Sequence, residues 1–142
     1  MKFQFKYRSL LKIRRHEQKL QQQKLAELLE SRQEMSRRLE RLLDRPDPPA
    51  LGEGGRHSVQ GMRRGYTHRM SHLKEVWELQ EMLERLGQDI EEQRGRLLEA
   101  SKKTRMLEKL ESQDKMRFLE ELQRREQLQQ NEIATQLYNR AS

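Results

Sequence analysis

Residues 76–107 read VWELQEMLERLGQDIEEQRGRLLEASKKTRML, and apolar side chains recur along them at alternating intervals of three and four. This spacing places the apolar residues on one stripe of an α-helix, as in a heptad seam. Gly87 and Gly95 each cost about 1 kcal/mol relative to alanine without ending the helix, and both could permit close helix approach or slight bending. The stripe consists of Val76, Leu79, Leu83, Leu86, Ile90, Leu97, Ala100 and Leu107.

A long second helix is predicted around this stripe, over residues 66–139, because apolar residues continue on its C-terminal side. Their spacing is looser than that of the seam. They are Leu110, Phe118, Leu122, Ile133 and Leu137.

A first helix is predicted over residues 9–43, since residues 10–43 contain no glycine or proline. Ser9 is its expected N-cap. Its seam consists of Leu25, Leu28, Met35, Leu39 and Leu42. Upstream, where glutamines occupy positions 21–23, we interpret the apolar residues as out of phase with this seam and expect a shift of register. They are Leu10, Leu11, Ile13 and Leu20.

The two predicted helices are flanked by segments of other character. Residues 1–8 alternate aromatic and basic side chains, which indicates a short arm. Residues 44–65 contain all three prolines and five of the seven glycines, so a mobile loop is predicted there.

Together these features predict an all-α fold, a long antiparallel two-helix coiled-coil hairpin with unequal helices forming a single domain over residues 1–142. Counting back from the loop places Ser9 opposite Ala100. The second helix should then overhang from Lys102 onward and expose Phe118, Leu119, Leu122, Ile133, Leu137 and Tyr138.

Composition narrows the classes of function. With 32% hydrophobic and 37% charged residues among 142, the chain is too polar to fill a thick core. Its net charge of +7 lies in residues 1–24, which hold eight Lys/Arg and one Glu. Cysteine is absent, which excludes disulfides and zinc–thiolate sites. No segment approaches the roughly 20 apolar residues of a membrane span, and no secretory signal is expected.

Candidate sites for chemistry are few. His68, His72 and Glu75 lie at i, i+4 and i+7, a spacing that presents side chains on one helix face. Solvated helix residues explain this pattern better than a metal site does. The sequence has no glycine-rich phosphate loop and no nucleophile elbow, so we expect no enzymatic activity, no cofactor and no small-molecule ligand.

The basic N-terminus leaves three interpretations open: a solvated end, a surface for nucleic acid or anionic membrane, or a contact with an acidic protein. A structural scaffold that self-assembles is a further alternative. Trp77, the only tryptophan, either packs on the flank of the seam or anchors a partner. Protein binding is the preferred interpretation, without nucleic acid.

The opening MKFQFKYRSLLKIRRHEQ, residues 1–18, resembles the start of the flagellar FliJ family: a Phe/Lys arm, a Leu-Leu pair, then a basic residue and Glu. Residues 102–113 (KKTRMLEKLESQ) and 124–134 (RREQLQQNEIA) are similar to that family's second-helix signature. The sequence departs from the pattern at Asn131, where the family more often has Asp. The order of arm, helix, Pro/Gly tip and longer helix agrees across nearly the whole chain.

The resemblance implies a stalk-like component of the flagellar type III export apparatus, cytoplasmic and peripherally associated with the inner membrane at the flagellar base. Its implied partners are the hexameric export ATPase, the cytoplasmic domain of the membrane export gate and, as a further candidate, export chaperones. Loss of the protein would impair motility and chemotaxis.

Two surfaces are assigned by combining geometry with this resemblance. The ATPase-facing surface is expected where charge and unpaired apolar residues coincide, and consists of Lys12, Arg14, Arg15, Arg124, Arg125, Ile133 and Leu137. The gate-facing surface is expected nearer the loop, and consists of Leu39, Leu42, Leu73, Val76 and Trp77.

Overall fold

The computed structural model describes residues 2–44 and 59–141. Two helices pack together in this part of the chain, which contains no β-strand: α1 spans Arg8–Leu43 and α2 spans Val59–Ala141. The chain divides into two compact units to which both helices contribute. One unit comprises Met1–Leu20 with Leu98–Ser142, and the other comprises Gln21–Leu97.

The start of α1 differs from the prediction. The backbone N–H of Leu11 donates to the carbonyl of Tyr7 at 2.9 Å, and that of Arg8 donates to Phe5 at 3.2 Å. Tyr7 therefore occupies the N-cap position, because its carbonyl accepts the first helical hydrogen bond. The predicted cap at Ser9 is wrong, since Ser9 lies inside the first turn.

The start of α2 also differs. It begins at Val59, so the predicted loop of residues 44–65 is too long, and Gly61 and Gly65 lie within the helix. Each glycine has a propensity cost of about 1 kcal/mol, but extending an existing helix adds a hydrogen bond per residue without a new nucleus. The rest of the predicted loop, including Pro46, Pro48, Pro49, Gly52, Gly54 and Gly55, lies outside the described residues.

In the unit formed by Gln21–Leu97, the predicted seams of both helices face inward. Leu42, Leu79 and Ile90 are buried, and Ile90 is 0% exposed. An ion pair at 3.5 Å joins Arg38 to Glu75 across the two helices. The remaining seam residues of this unit are half-buried: Leu25, Leu28, Met35, Leu39, Val76, Leu83, Leu86 and Leu97.

In the unit formed by Met1–Leu20 and Leu98–Ser142, contacts between the helices are more polar. The side-chain amide of Gln18 donates to Ser101 Oγ at 3.1 Å. The hydroxyl of Thr104 donates to the carbonyl of Arg14 at 3.3 Å and also to that of Ala100 at 3.0 Å. Thr104 is buried, and its single hydroxyl hydrogen has these two carbonyl oxygens as acceptors, so this polar layer is compatible with burial.

The expected register shift in α1 does not occur. Leu11 is only 2% exposed, and positions 11, 14, 18, 21 and 25, spaced by three and four, are all buried or half-buried. Leu11 is therefore in phase with Leu25, two heptads later. The intervening inward positions are polar, and they hydrogen-bond to α2 instead of breaking the phase.

The predicted pairing of Ser9 with Ala100 is displaced along α2. Arg15 pairs with Glu108 at 3.4 Å, and the rings of Phe3 and Phe118 lie 5.6 Å apart. Lys102 onward is therefore not without a partner, because the start of α1 and the arm before it cover α2 as far as Phe118. Beyond Leu122 every described side chain of α2 is exposed.

The two glycines of the α2 seam region do not mark a close helix approach. A Cβ atom added at Gly87 or at Gly95 would meet nothing within 4 Å. The interpretation that they permit close packing is wrong, because neither position faces a neighbouring atom at that range.

Candidate functional site

The N-terminal arm is packed and does not extend freely from α1. Phe5 is buried, and its ring meets the edge of Tyr7 at a centroid distance of 5.8 Å. The ammonium group of Lys6 lies 5.5 Å from the centre of the Tyr7 ring, a cation–π geometry. The alternation of aromatic and basic residues therefore divides the arm between a side that packs and a side that presents charge.

An open groove of about 490 Å³ lies between the arm, the start of α1 and α2. Three basic side chains and one carboxylate line it, so its charge is positive. Two phenylalanines and a leucine are among its lining residues. The lining residues are Phe3, Phe5, Arg8, Ser9, Leu11, Lys12, Arg15 and Glu111.

Two residues from the basic half of the predicted ATPase-facing surface, Lys12 and Arg15, line this groove. Lys12 is exposed, whereas Arg14 is half-buried and pairs with Glu17 at 3.0 Å. Arg15 pairs with Glu108. Two of the three cations are thus partly neutralised by carboxylates, which leaves Lys12 as the most available of the three.

The other half of that surface lies further along α2. Arg124 is exposed, Arg125 pairs with Glu121 at 3.4 Å, and Ile133 and Leu137 are 56% and 60% exposed. Arg124 follows Glu108 by sixteen residues, a distance of roughly 24 Å along a helix. The structure therefore does not bring the two halves into one patch.

The five predicted gate-facing residues are also divided by burial. Leu42 belongs to the core, and Leu39 and Val76 are half-buried in the seam. Leu73 and Trp77 are 60% and 62% exposed. Only these two leave most of their surface uncovered. Flank packing of Trp77 against the seam therefore covers only the smaller part of its side chain.

An exposed apolar stripe on α2 ends at Trp77, and only its last two residues, Leu73 and Trp77, were identified from the sequence. It consists of Val59, Met62, Tyr66, Met70, Leu73 and Trp77, each between 45% and 67% exposed. The intervals of three and four were a usable signal for one helix face. The signal was lost because most of these residues were assigned to the end of a loop or left unassigned.

The described residues form neither a candidate metal site nor a membrane-spanning helix. Within residues 2–44 and 59–141, no group of three or more His, Cys, Asp or Glu side chains could hold a metal ion. His68 is exposed and His72 is half-buried. Neither described helix is long and apolar enough to cross a membrane.

Comparisons with known proteins give no relative. No family model matches the chain, and no curated protein or solved structure is significantly similar to it.

Proposed function

We propose that this protein is a FliJ-like adaptor of the flagellar type III export apparatus, built as an antiparallel two-helix coiled-coil hairpin with unequal helices. In each unit, residues later in the N-terminal part of the chain contact residues earlier in α2, as antiparallel helices require. In one unit the pairs are Arg38–Glu75 and Gln21–Gln93. In the other unit they are Arg15–Glu108 and Phe3–Phe118. The spacing of inward positions by three and four supports the coiled coil.

The observation that carries the proposal is the exposed C-terminal part of α2. Residues 123–141 form five turns of helix whose side chains are all exposed, including Leu128, Ile133 and Leu137. An apolar helix segment of this kind gains free energy when a partner covers it. We propose that this segment, with Arg124 and Arg125, binds the export ATPase ring and promotes ATP hydrolysis.

A second contact is proposed with the cytoplasmic domain of the membrane export gate. Trp77 is its proposed anchor, because tryptophan is among the residues that contribute most to protein interfaces, and the exposed Leu73 lies one turn before it. Through this contact the protein would be held at the cytoplasmic face of the inner membrane. Export chaperones are further proposed partners, whereas catalysis, nucleic acid and small ligands have no part in the proposal.

The experiment measures ATP hydrolysis by the flagellar export ATPase with and without this protein at equimolar amounts. We expect stimulation by the full chain and its loss in a variant ending at Arg124. A sharper variant, Ile133→Asp with Leu137→Asp, keeps the length of the chain while placing charge on the apolar surface. We expect it to reduce stimulation at least tenfold, since each side chain contributes about 1.5–3 kcal/mol when fully buried.

A matched control uses Met106→Asp with Met116→Asp, two exposed apolar residues of α2 that precede the C-terminal segment. Stimulation should survive in the control. If the full chain neither stimulates nor co-elutes with the ATPase, the export proposal fails; equal loss in both variants would place the contact elsewhere on α2.

A further inference from the structure

The apolar stripe of Val59–Trp77 occupies one narrow face of α2. At about 100° per residue, its six positions fall within a sector of roughly 80°. All six side chains are exposed: Val59, Met62, Tyr66, Met70, Leu73 and Trp77. With a rise of 1.5 Å per residue, the stripe is about 27 Å long.

This stripe is separate from the seam that packs against α1. The inward residues Val76, Leu79, Leu83, Leu86 and Ile90 centre on a direction turned by roughly 120° from it. Residues that continue the seam direction toward the start of α2 are small or polar, such as Gly61, Gly65 and His72. The six stripe residues therefore do not serve the packing of the two helices.

Along the first sixteen residues of α2 the charge is of one sign, and the first carboxylate of the helix is Glu75. Between Val59 and Lys74 the chain has four basic residues and no acidic one; the basic residues are Arg63, Arg64, Arg69 and Lys74. On the helix, Arg63 and Lys74 flank one edge of the stripe and Arg69 flanks the other. None of the three arginines pairs with an acidic side chain of the described residues.

On the side of the stripe that carries Arg63, α2 has a shallow, open depression. It is lined by Arg63, Arg64, Thr67, His68 and Ser71, all of which offer hydrogen-bond donors. Two guanidinium groups with hydroxyl donors suit phosphate oxygens, because charge-assisted hydrogen bonds to phosphate are stronger than neutral ones. Of these residues Arg63 and Thr67 lie nearest the stripe on the helix, and they supply contacts for an anionic headgroup next to the apolar surface.

We propose that residues 59–77 of α2 bind the surface of an anionic phospholipid membrane, with the stripe in the acyl boundary and the basic side chains at the phosphates. A helix with an apolar face, a basic polar face and Trp/Tyr side chains is the type that lies in the membrane interface. Indole and phenol rings prefer that region because one part of each is apolar and the other can remain hydrated.

A planar anionic surface fits this face better than a second copy of the chain does. Pairing two stripes would bring the flanking cations Arg63, Arg69 and Lys74 of two copies together, with no carboxylate between Val59 and Lys74 to neutralise them. The face is also the convex surface of a single helix, with cations on both edges. Such a face can lie on a planar membrane, whereas it has no groove into which a protein partner could fit.

The lipid contact is independent of the export proposal, although both use Leu73 and Trp77. At these two side chains, lipid and gate are alternative occupants. The two proposals are tested separately, because the vesicles contain no protein and the ATPase assay contains no lipid. Lipid binding can therefore fail while stimulation of the ATPase is retained, and stimulation can fail while lipid binding is retained.

The test uses the fluorescence of Trp77, which is the only tryptophan of the chain. Full-length protein is titrated with phosphatidylglycerol/phosphatidylcholine vesicles and with phosphatidylcholine vesicles alone. We expect emission to shift to shorter wavelength only with the anionic vesicles, because Trp77 leaves water for the acyl boundary. The signal is local, so adsorption through the basic N-terminus does not imitate it.

The apolar contact is tested by Met62→Gln with Met70→Gln, and the matched control is Met106→Gln with Met116→Gln, all exposed methionines of α2. We expect the first pair to weaken binding at least tenfold and the control to leave it unchanged. Replacing Arg63 by Gln should weaken vesicle binding roughly fivefold.

Two outcomes overturn the proposal: absence of an emission shift with anionic vesicles, and an equal effect of the two methionine pairs on binding. If an acidic peptide binds while vesicles cause no shift, the face belongs to a protein contact instead.

Discussion

At position 93 a glutamine occupies an inward site that leucine or isoleucine fills elsewhere in the same seam. Gln93 is 4% exposed, and its side-chain N–H₂ donates to Gln21 Oε1 at 2.6 Å and to the Gln21 carbonyl at 3.1 Å. A buried amide costs little when its hydrogen bonds are made. In another helix register those hydrogen bonds would be lost, so the amide destabilises the alternative registers. Gln21 and Gln93 therefore specify the pairing of the helices more than they stabilise it.

Replacing Gln93 by Ala should lower the free energy of unfolding by about 1–3 kcal/mol, because the partner amide loses its donor and a buried side chain is removed. The combined change Gln21→Leu with Gln93→Leu should instead raise it above that of the wild type, since two apolar side chains replace a polar pair. Urea unfolding followed by circular dichroism measures both.

Gln88→Ala is the control for this pair, because Gln88 is an exposed glutamine of the same helix. Its effect should stay within about 0.5 kcal/mol. A stability loss at Gln93 no larger than that at Gln88 would contradict the assignment of a buried polar layer.

Within α2, two interior glycines lower helix stability without a packing reason. A methyl group at Gly87 or Gly95 would meet nothing within 4 Å. Replacement of either by Ala should therefore raise the free energy of unfolding by about 0.5–1 kcal/mol, through helix propensity and a smaller unfolded-state entropy. Thermal unfolding of the two single variants checks this, and a fall in stability would show that the glycines serve a bend or a close contact.

At the level of the helices, the sequence predicted much of the fold but not its register. Apolar spacing located the α2 seam and the later half of α1, since Leu42, Leu79 and Ile90 are core residues. It failed between Leu11 and Leu25, where the inward positions are polar. A search restricted to apolar residues cannot follow a seam through Gln18 and Gln21, although their spacing of three and four was present in the sequence.

The candidate surfaces were predicted less well than the helices, for a physical reason. Whether Leu42 is core and Trp77 is exposed depends on which face of each helix the other one covers, and helical spacing alone leaves that choice open. Packing of the arm against Phe118 is a tertiary contact with no periodic signal. Because of this contact, the uncovered part of α2 begins after Leu122 and not at Lys102, where it was expected.

For the whole chain, the burial pattern distinguishes segments that contribute to the stability of the fold from segments that do not. Removal of residues 123–142 should leave the unfolding temperature within a few degrees of the wild type, because the described side chains in this range are all exposed. Deletion of residues 2–7 should lower it more. It removes the buried Phe5, worth about 1.5–3 kcal/mol, and the ring contact of Phe3 with Phe118.

Circular dichroism melts of the two truncations, together with a Phe5→Ala point variant, separate these contributions. Phe5→Ala should reproduce most of the loss seen on deleting residues 2–7, since Phe5 is the buried side chain of the arm. A larger loss from removing residues 123–142 than from removing the arm would contradict this division. The C-terminal segment would then stabilise the fold, and its exposed apolar residues could no longer be regarded as reserved for a partner.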